Sequence, residues 1–262
     1  NGAGKTTTVE ILEGHRSRDG GDAEVFGHDP GSNDREFRER IGVVLQTTGI
    51  EPYMNVEETV NVFRGYFRHP RSMADILDAV GLGEYRRTMV RKLSGGLQRR
   101  LDVGIGLAGD PELLFLDEPT TGFDPAARRE AWEMVRNLRS LNKTVFLTTH
   151  YMDEAEALAD RVAIAVDGSI VRTGTPSELT GAASMTVIRF RLEPGMAPPV
   201  DTVPGLVRQG DRFTVEVEEP TRVLFELARW ATDEGVELRN LSVSRSSLED
   251  VYLDLVSGVE AP

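Results

Sequence analysis

The tetrapeptide Leu93-Ser94-Gly95-Gly96 is followed by Leu113-Leu114-Phe115-Leu116-Asp117-Glu118, and Ser94 precedes Asp117 by 23 positions. Ser94 is placed to cap a helix on which Leu97, Leu101 and Ile105 share one face, while Gln98, Arg99, Arg100 and Asp102 point elsewhere. Asp110-Pro111 breaks that helix. Leu113 to Leu116 then reads as a strand buried on both faces, with two carboxylates at its carboxyl end, where parallel α/β sheets bind their ligands. The chain opens on Asn1-Gly2-Ala3-Gly4-Lys5-Thr6, the greater part of the glycine-rich phosphate loop Gly-x-x-x-x-Gly-Lys-Ser/Thr. Counting back from Gly4 puts that loop's first glycine two positions before Asn1, so a truncated N-terminus and weakened nucleotide binding are expected.

Between and beyond these landmarks the pattern alternates strands with helices. Thr6 to Glu13 reads as a helix closed by Gly14, its N-terminus aimed at phosphate. Residues 41–46 form a short apolar run ending on Gln46. Asn55 caps a helix carrying Val56, Val60, Phe63 and Phe67, and a second helix follows with Met73, Ile76, Leu77 and Val80. Ala126 to Leu141 is helical, Thr144 to Thr148 is the next strand, and His150 follows its carboxyl end. Val162 to Val166, Asp167-Gly168 and Ser169 to Arg172 carry a type I′ hairpin signal, and 174–183 reads as a linker. Alternation at Ile188, Phe190, Leu192 and at Phe213, Val215, Val217, then helix 222–233, strand 236–243 and helix 248–255, predict a small β-β-α-β-α unit.

Thirty basic against 43 acidic side chains give a net charge of −13, a field that repels phosphate backbones and argues against nucleic acid as a partner. Only Lys5, Lys92 and Lys143 are lysines; the rest of the positive charge is arginine. A lysine after Gly4 is therefore informative, because a compact ammonium fits between phosphate oxygens where a planar guanidinium does not. No apolar stretch approaches the roughly 20 residues that cross a bilayer, and the absence of cysteine removes disulfides and thiolate chemistry.

Taken in order, the phosphate loop, Gln46, Leu93-Ser94-Gly95-Gly96, Asp117-Glu118, Asp124 within Thr120-Thr121-Gly122-Phe123-Asp124-Pro125, and His150 resemble the nucleotide-binding subunit of an ATP-binding cassette (ABC) transporter over roughly the first 180 residues. The resemblance implies an α/β P-loop NTPase fold. It has a RecA-like parallel sheet, a helical subdomain at about 50–105 within an ATPase domain of 1–180, and a small α+β accessory domain at 185–262. It further implies ATP held by Asn1, Gly2, Ala3, Gly4, Lys5, Thr6 and Thr7, with Lys5 on the β and γ oxygens. Mg²⁺ is expected at Thr6, Asp117 and Gln46, and Glu118 is expected to deprotonate the attacking water. His150 would contact the γ-phosphate, while Ser94, Gly95 and Gly96 would reach ATP on a facing subunit and Asp124 would lie at that dimer's seam.

Bland readings stand beside these. Asp117-Glu118 also suits a solvated strand end, Gln46 and His150 singly suit ordinary loop positions, and Asp124 suits an Asp-Pro turn. Two departures from the family pattern are Leu97, where glutamine is usual, and Phe123, where leucine is usual.

Thr148-Thr149-His150-Tyr151-Met152-Asp153-Glu154 and the closing Ser247-Leu248-Glu249-Asp250-Val251-Tyr252 resemble the ABC-2 type drug and antibiotic exporters, the daunorubicin-resistance group among them. That implies a homodimer working with a separate transmembrane permease, cytoplasmic and peripheral on the inner face of the cell membrane. An importer ATPase is the main alternative. A DNA-repair ATPase is disfavoured because the 89 positions from Lys5 to Ser94 hold only short helices rather than coiled-coil arms. A translation factor with paired cassettes is disfavoured by the single cassette and the negative charge. A noncatalytic nucleotide sensor is disfavoured by the presence of both Glu118 and His150.

Overall fold

In a computed structural model of the chain, residues 2–32, 34–44, 49–181, 185–193, 196 and 203–259 are described. Two compact units emerge, Asn1–Leu158 with Ala165–Ser169, and Ala159–Ile164 with Ile170–Pro262. The first contains α1 (Lys5–Leu12), α2 (Arg35–Arg40), β1 (Ile41–Val44), α3 (Val56–Arg64), α4 (Met73–Ala79), α5 (Gly95–Gly106), β2 (Leu113–Asp117), α6 (Pro125–Ser140), β3 (Thr144–Thr148) and α7 (Met152–Leu158).

β1, β2 and β3 pair in parallel in that order, with Val44 opposite Leu116 and Asp117 opposite Thr148. Side-chain alternation explains why β2 reads as an unbroken apolar run. Leu114 and Leu116 enter one core with Val44, Leu101 and Val135, while Leu113 and Phe115 enter another with Val9, Phe37 and Ile41. Each such side chain, fully buried, contributes about 1.5–3 kcal/mol.

Glycine lets α5 lie directly on β1. A Cβ on Gly42 would fall 2.3 Å from the carbonyl oxygen of Gly106, a contact that backbone cannot relieve by rotating a side chain. Gly42→Ala is accordingly expected to cost about 1–3 kcal/mol by overpacking. A urea midpoint unchanged from the parent chain would mean the helix and strand are not so close.

Local signals set the helix ends. Asn55 and Glu58 form a reciprocal capping box at α3, which stops at Gly65, so Phe67 lies beyond the helix that the sequence pattern assigned to it. α2 and α7 were not anticipated. The first is charged except for Phe37, which is 1% exposed, and the second is seven residues long.

β4 (Val162–Val166) and β5 (Ser169–Gly174) form a two-stranded sheet. Its turn holds Asp167 and Gly168 at φ 48° and 78°, as a type I′ turn requires. The expected linker contains one helical turn, α8 (Pro176–Leu179), because Thr175 and Glu178 build a capping box with proline at the first helical position.

The second unit continues with β6 (Thr186–Arg191), β7 (Val207–Gln209), β8 (Arg212–Val217), α9 (Pro220–Asp233), β9 (Arg239–Arg245) and α10 (Leu248–Val259). Its antiparallel sheet runs β7-β8-β6-β9. Phe190 and Phe213 sit opposite each other and stack with centroids 5.4 Å apart, packed with Leu227 of α9 in one core. Two corrections follow. β7, only three residues long and too short to alternate visibly, makes the unit β-β-β-α-β-α. The last strand begins at Arg239 rather than Val236, because Val236 N–H bonds to Ala231 C=O (2.8 Å) and Gly235 N–H to Thr232 C=O, closing α9 with a Schellman turn.

At the start of α10, Ser247 and Asp250 cap each other, and Asp250 also accepts from Arg189 of β6. Burial pushes the Asp250 carboxyl upward, but the Ser247 amide and hydroxyl and the Arg189 guanidinium outweigh it and hold it below the usual carboxylate value. No helix among the described residues is long and apolar enough to cross a membrane.

Candidate nucleotide site

The site begins where α1 leaves its glycine turn. Gly2 and Gly4 have φ 84° and 80°, backbone geometry that an L side chain resists, and Gly4 precedes the first helical residue, Lys5. The amides of this turn and of Lys5, Thr6 and Thr7 lie at the positive end of α1, a place for phosphate oxygens. Thr8 Oγ1 donates back to Gly4 C=O at 3.0 Å and tightens that turn.

From the first turn of α1, Thr6 Oγ1 donates to Asp117 Oδ2 at 3.2 Å, joining positions 111 residues apart. Thr148 Oγ1 donates to the other oxygen, Asp117 Oδ1. Asp117 is 9% exposed and held from both sides, so its carboxylate cannot swing freely.

Glu118, next along, has φ 45°, the left-handed region that non-glycine residues rarely occupy. Such a conformation costs about 1–3 kcal/mol and persists only where neighbours over-determine it. Here they do. Glu118 N–H donates to both the carbonyl and the hydroxyl of Thr148, each at 3.1 Å. Thr121 Oγ1 donates to Glu118 Oε2 at 3.0 Å. His150 Nδ1 lies 3.3 Å from Glu118 Oε1, close enough for an ion pair but not aligned as a hydrogen bond. The two neighbouring carboxylates therefore have separate partners, Thr6 and Thr148 for Asp117, Thr121 and His150 for Glu118.

Arg99 of α5 was expected to face away from the core. It is instead 8% exposed, donating from Nη2 to Asp117 C=O (3.1 Å) and from Nε to Pro119 C=O (3.3 Å). It therefore straps the carbonyls of the residues on either side of Glu118. Burial lowers the guanidinium's pKa from its ordinary value, while Asp102 and Asp117 act to raise it.

The structure thus brings Thr6, Asp117, Glu118 and His150 together. Ser94 and Gly95 are exposed at the N-terminus of α5, with Ser94 Oγ accepting from Leu97 N–H at 3.3 Å. Gly95, Arg99, Glu118 and Phe123 line one cleft of about 460 Å³. Asp124 is exposed and caps α6, accepting from the amides of Ala126 and Ala127. Asn1 and Gln46 lie outside the described residues. Leu97, one of the two departures, packs partly buried against the main core.

Residues 1–121 match the sequence family described as ABC transporter, and 186–247 match the C-terminal domain of ABC transporter domain-containing proteins. Along 97% of its length the chain is 36% identical to the daunorubicin/doxorubicin resistance ATP-binding protein of Streptomyces peucetius, covering 81% of that protein. The chain belongs to the ABC transporter family.

As an ABC ATP-binding subunit it is an ATPase, and members of this family dimerise and work with membrane permeases. It is also 32% identical to the doxorubicin resistance ATP-binding protein of Mycobacterium tuberculosis, over 98% of this chain and 82% of that one. The fold agrees with solved ABC subunits. The cbiO1 structure from Clostridium perfringens superposes with a TM-score of 0.62 at 24% identity, over 69% of this chain and 76% of that one. A dimeric ATP-binding cassette bound to ADP and Pi superposes at 0.57 and 22%, over 66% and 81%.

Three residues that hold the site were given no role by the sequence reading. Thr148 and Thr121 stood inside family-like motifs without a part of their own, and Arg99 looked like a solvated helix face.

Proposed function

We propose that this ABC subunit hydrolyses ATP to drive export of a drug, antibiotic or other small hydrophobic compound through a separate membrane permease. One observation carries the export reading: similarity to drug-resistance ATP-binding proteins runs through both units, the C-terminal one included. On this reading residues 1–180 form the motor, with its helical subdomain at about 50–105, and 185–262 are an accessory domain. The motor works as a homodimer on the cytoplasmic face of the membrane, without nucleic acid, in keeping with a charge of −13.

The residues suit the chemistry. Asn1 to Thr7 cradle the phosphates with main-chain amides, and Lys5 neutralises the β and γ oxygens. The fit to Mg²⁺ rests on the donor set. Thr6 and Asp117 present hard oxygens 3.2 Å apart, and Mg²⁺ is usually held by one or two protein oxygens with phosphates and water completing the shell. Gln46 is a further oxygen for that shell. When bound, the metal neutralises charge on the phosphate oxygens.

Glu118 takes the proton of the attacking water, with its carboxylate aimed by Thr121, and His150 stands beside it to contact the γ-phosphate. Ser94, Gly95 and Gly96 leave the N-terminus of α5 exposed for the γ-phosphate of ATP on the facing subunit, and Asp124 lies at the seam.

A full-length chain is expected to hydrolyse ATP only with Mg²⁺, at a rate rising more steeply than linearly with protein concentration. Co-expressed with its permease in a drug-sensitive host, it is expected to support ATP-dependent efflux of a fluorescent anthracycline. Hydrolysis without efflux would move the cargo elsewhere, and linear concentration dependence would remove the dimer from the cycle.

A further inference from the structure

Glu154 is the one buried carboxylate among the described residues that the proposed chemistry leaves unused and that has no solvent exposure at all, at 0%. It sits on α7, four positions after His150. Its Oε1 accepts from two neutral donors, Thr120 Oγ1 at 2.9 Å and Trp132 Nε1 at 3.1 Å. Oε2 is buried with no hydrogen-bond partner among the described residues, so the two donors on Oε1 alone fix the group. An ionisable side chain is costly at such a place, and an apolar residue would fill it without that cost.

The two partners explain what the position does. Thr120 is 1% exposed and follows Glu118 by two residues, and its carbonyl accepts from Phe123 N–H at 3.1 Å to turn the loop toward Asp124. Trp132 belongs to α6, the helix that Asp124 caps. One carboxylate oxygen therefore joins the start of the loop, the helix at its end, and the helix that follows His150. A second and more exposed link runs parallel to it, with Arg128 of α6 3.3 Å from Asp153 and 4.0 Å over the ring of Tyr151.

We infer that Glu154 is a positioning residue for hydrolysis: by clamping Thr120 and Trp132 it holds Glu118 and His150 in register with each other. The inference rests on the reading of Glu118 as the base. It acts through Thr120 on the loop, so its loss displaces the reacting groups without removing one. Displacements near 1 Å can cost about 10²-fold in rate.

The test uses the full-length chain. Glu154→Ala is expected to lower kcat at least about tenfold while KM for Mg-ATP stays within about twofold, because the phosphate cradle is untouched. Glu154→Gln keeps an acceptor oxygen for both donors and is expected to restore kcat to within about threefold of the parent. Thr120→Val keeps the volume and removes one donor, so it is expected to reproduce the kcat loss even if Glu154→Ala does not fold. The sequence has two tryptophans, and in a Trp230→Phe background Trp132 is its sole tryptophan emitter. Glu154→Ala is expected to shift its emission and Glu154→Gln to return it toward the parent. Folded Glu154→Ala or Thr120→Val with kcat within about twofold of the parent overturns the clamp. Full turnover in Glu118→Gln overturns the base instead, and the Trp132 emission and the kcat of Thr120→Val still report on the clamp.

Discussion

Replacing Glu118 by glutamine is expected to lower ATP turnover by about 10²- to 10⁴-fold, the range a positioned general base supplies, while Mg-ATP still binds. The amide is nearly isosteric and keeps a carbonyl oxygen to accept from Thr121 Oγ1, so the loop geometry survives and the loss reports on proton transfer. Asp117, Thr6 and Lys5 are unchanged, which leaves the phosphate and metal contacts in place. A chain that binds but cannot hydrolyse is expected to accumulate as a dimer with Mg-ATP, read by sedimentation. Turnover within a factor of about two of the parent would remove Glu118 as the base and shift attention to His150, which lies 3.3 Å away.

The conformation of Glu118 was beyond the reach of sequence reading. The four-residue apolar run ahead of Asp117 announces a strand buried on both faces, and Ser94 announces the start of α5, because burial and capping leave local chemical traces. A glutamate at φ 45° leaves none. Its backbone is held by Thr148, 30 residues downstream, and by Arg99, whose two carbonyl partners lie 18 and 20 residues away.

Arg99 shows the same limit from the other side. A helical wheel places an arginine outward because buried arginine is rare, and only knowledge that two carbonyls converge on it would reverse that placement. Asp124 was readable both as a turn residue and as an interface residue, and its side chain caps α6. In the C-terminal unit the Phe190, Phe213 and Leu227 core was legible as alternation and helical period. β7, at three residues, and the turn at Gly235-Val236 depend on pairing and on a left-handed glycine rather than on any periodic pattern.

The strap formed by Arg99 has the larger consequence for stability. Arg99→Ala removes a buried cation whose pKa burial already lowers, leaves the carbonyls of Asp117 and Pro119 without that donor, and opens a cavity beside β2. Asp102, 3.9 Å away and 11% exposed at its side chain, also loses its nearby positive charge. Truncating one partner of such a buried pair typically costs about 3–5 kcal/mol, a large share of the 5–15 kcal/mol by which domains are stable. The expected result is an unfolding free energy lowered by that amount, read as an earlier urea midpoint at constant slope, together with slower turnover, since the carbonyls of Asp117 and Pro119 on either side of Glu118 are no longer tied to α5. Arg99→Met separates the contributions. It refills most of the volume without a donor, so a cost near that of alanine assigns the effect to the lost hydrogen bonds and charge, and a much smaller cost assigns it to the cavity. A shift below about 1 kcal/mol in Arg99→Ala would mean that Glu118 is held in its left-handed conformation by Thr148 and Thr121 alone.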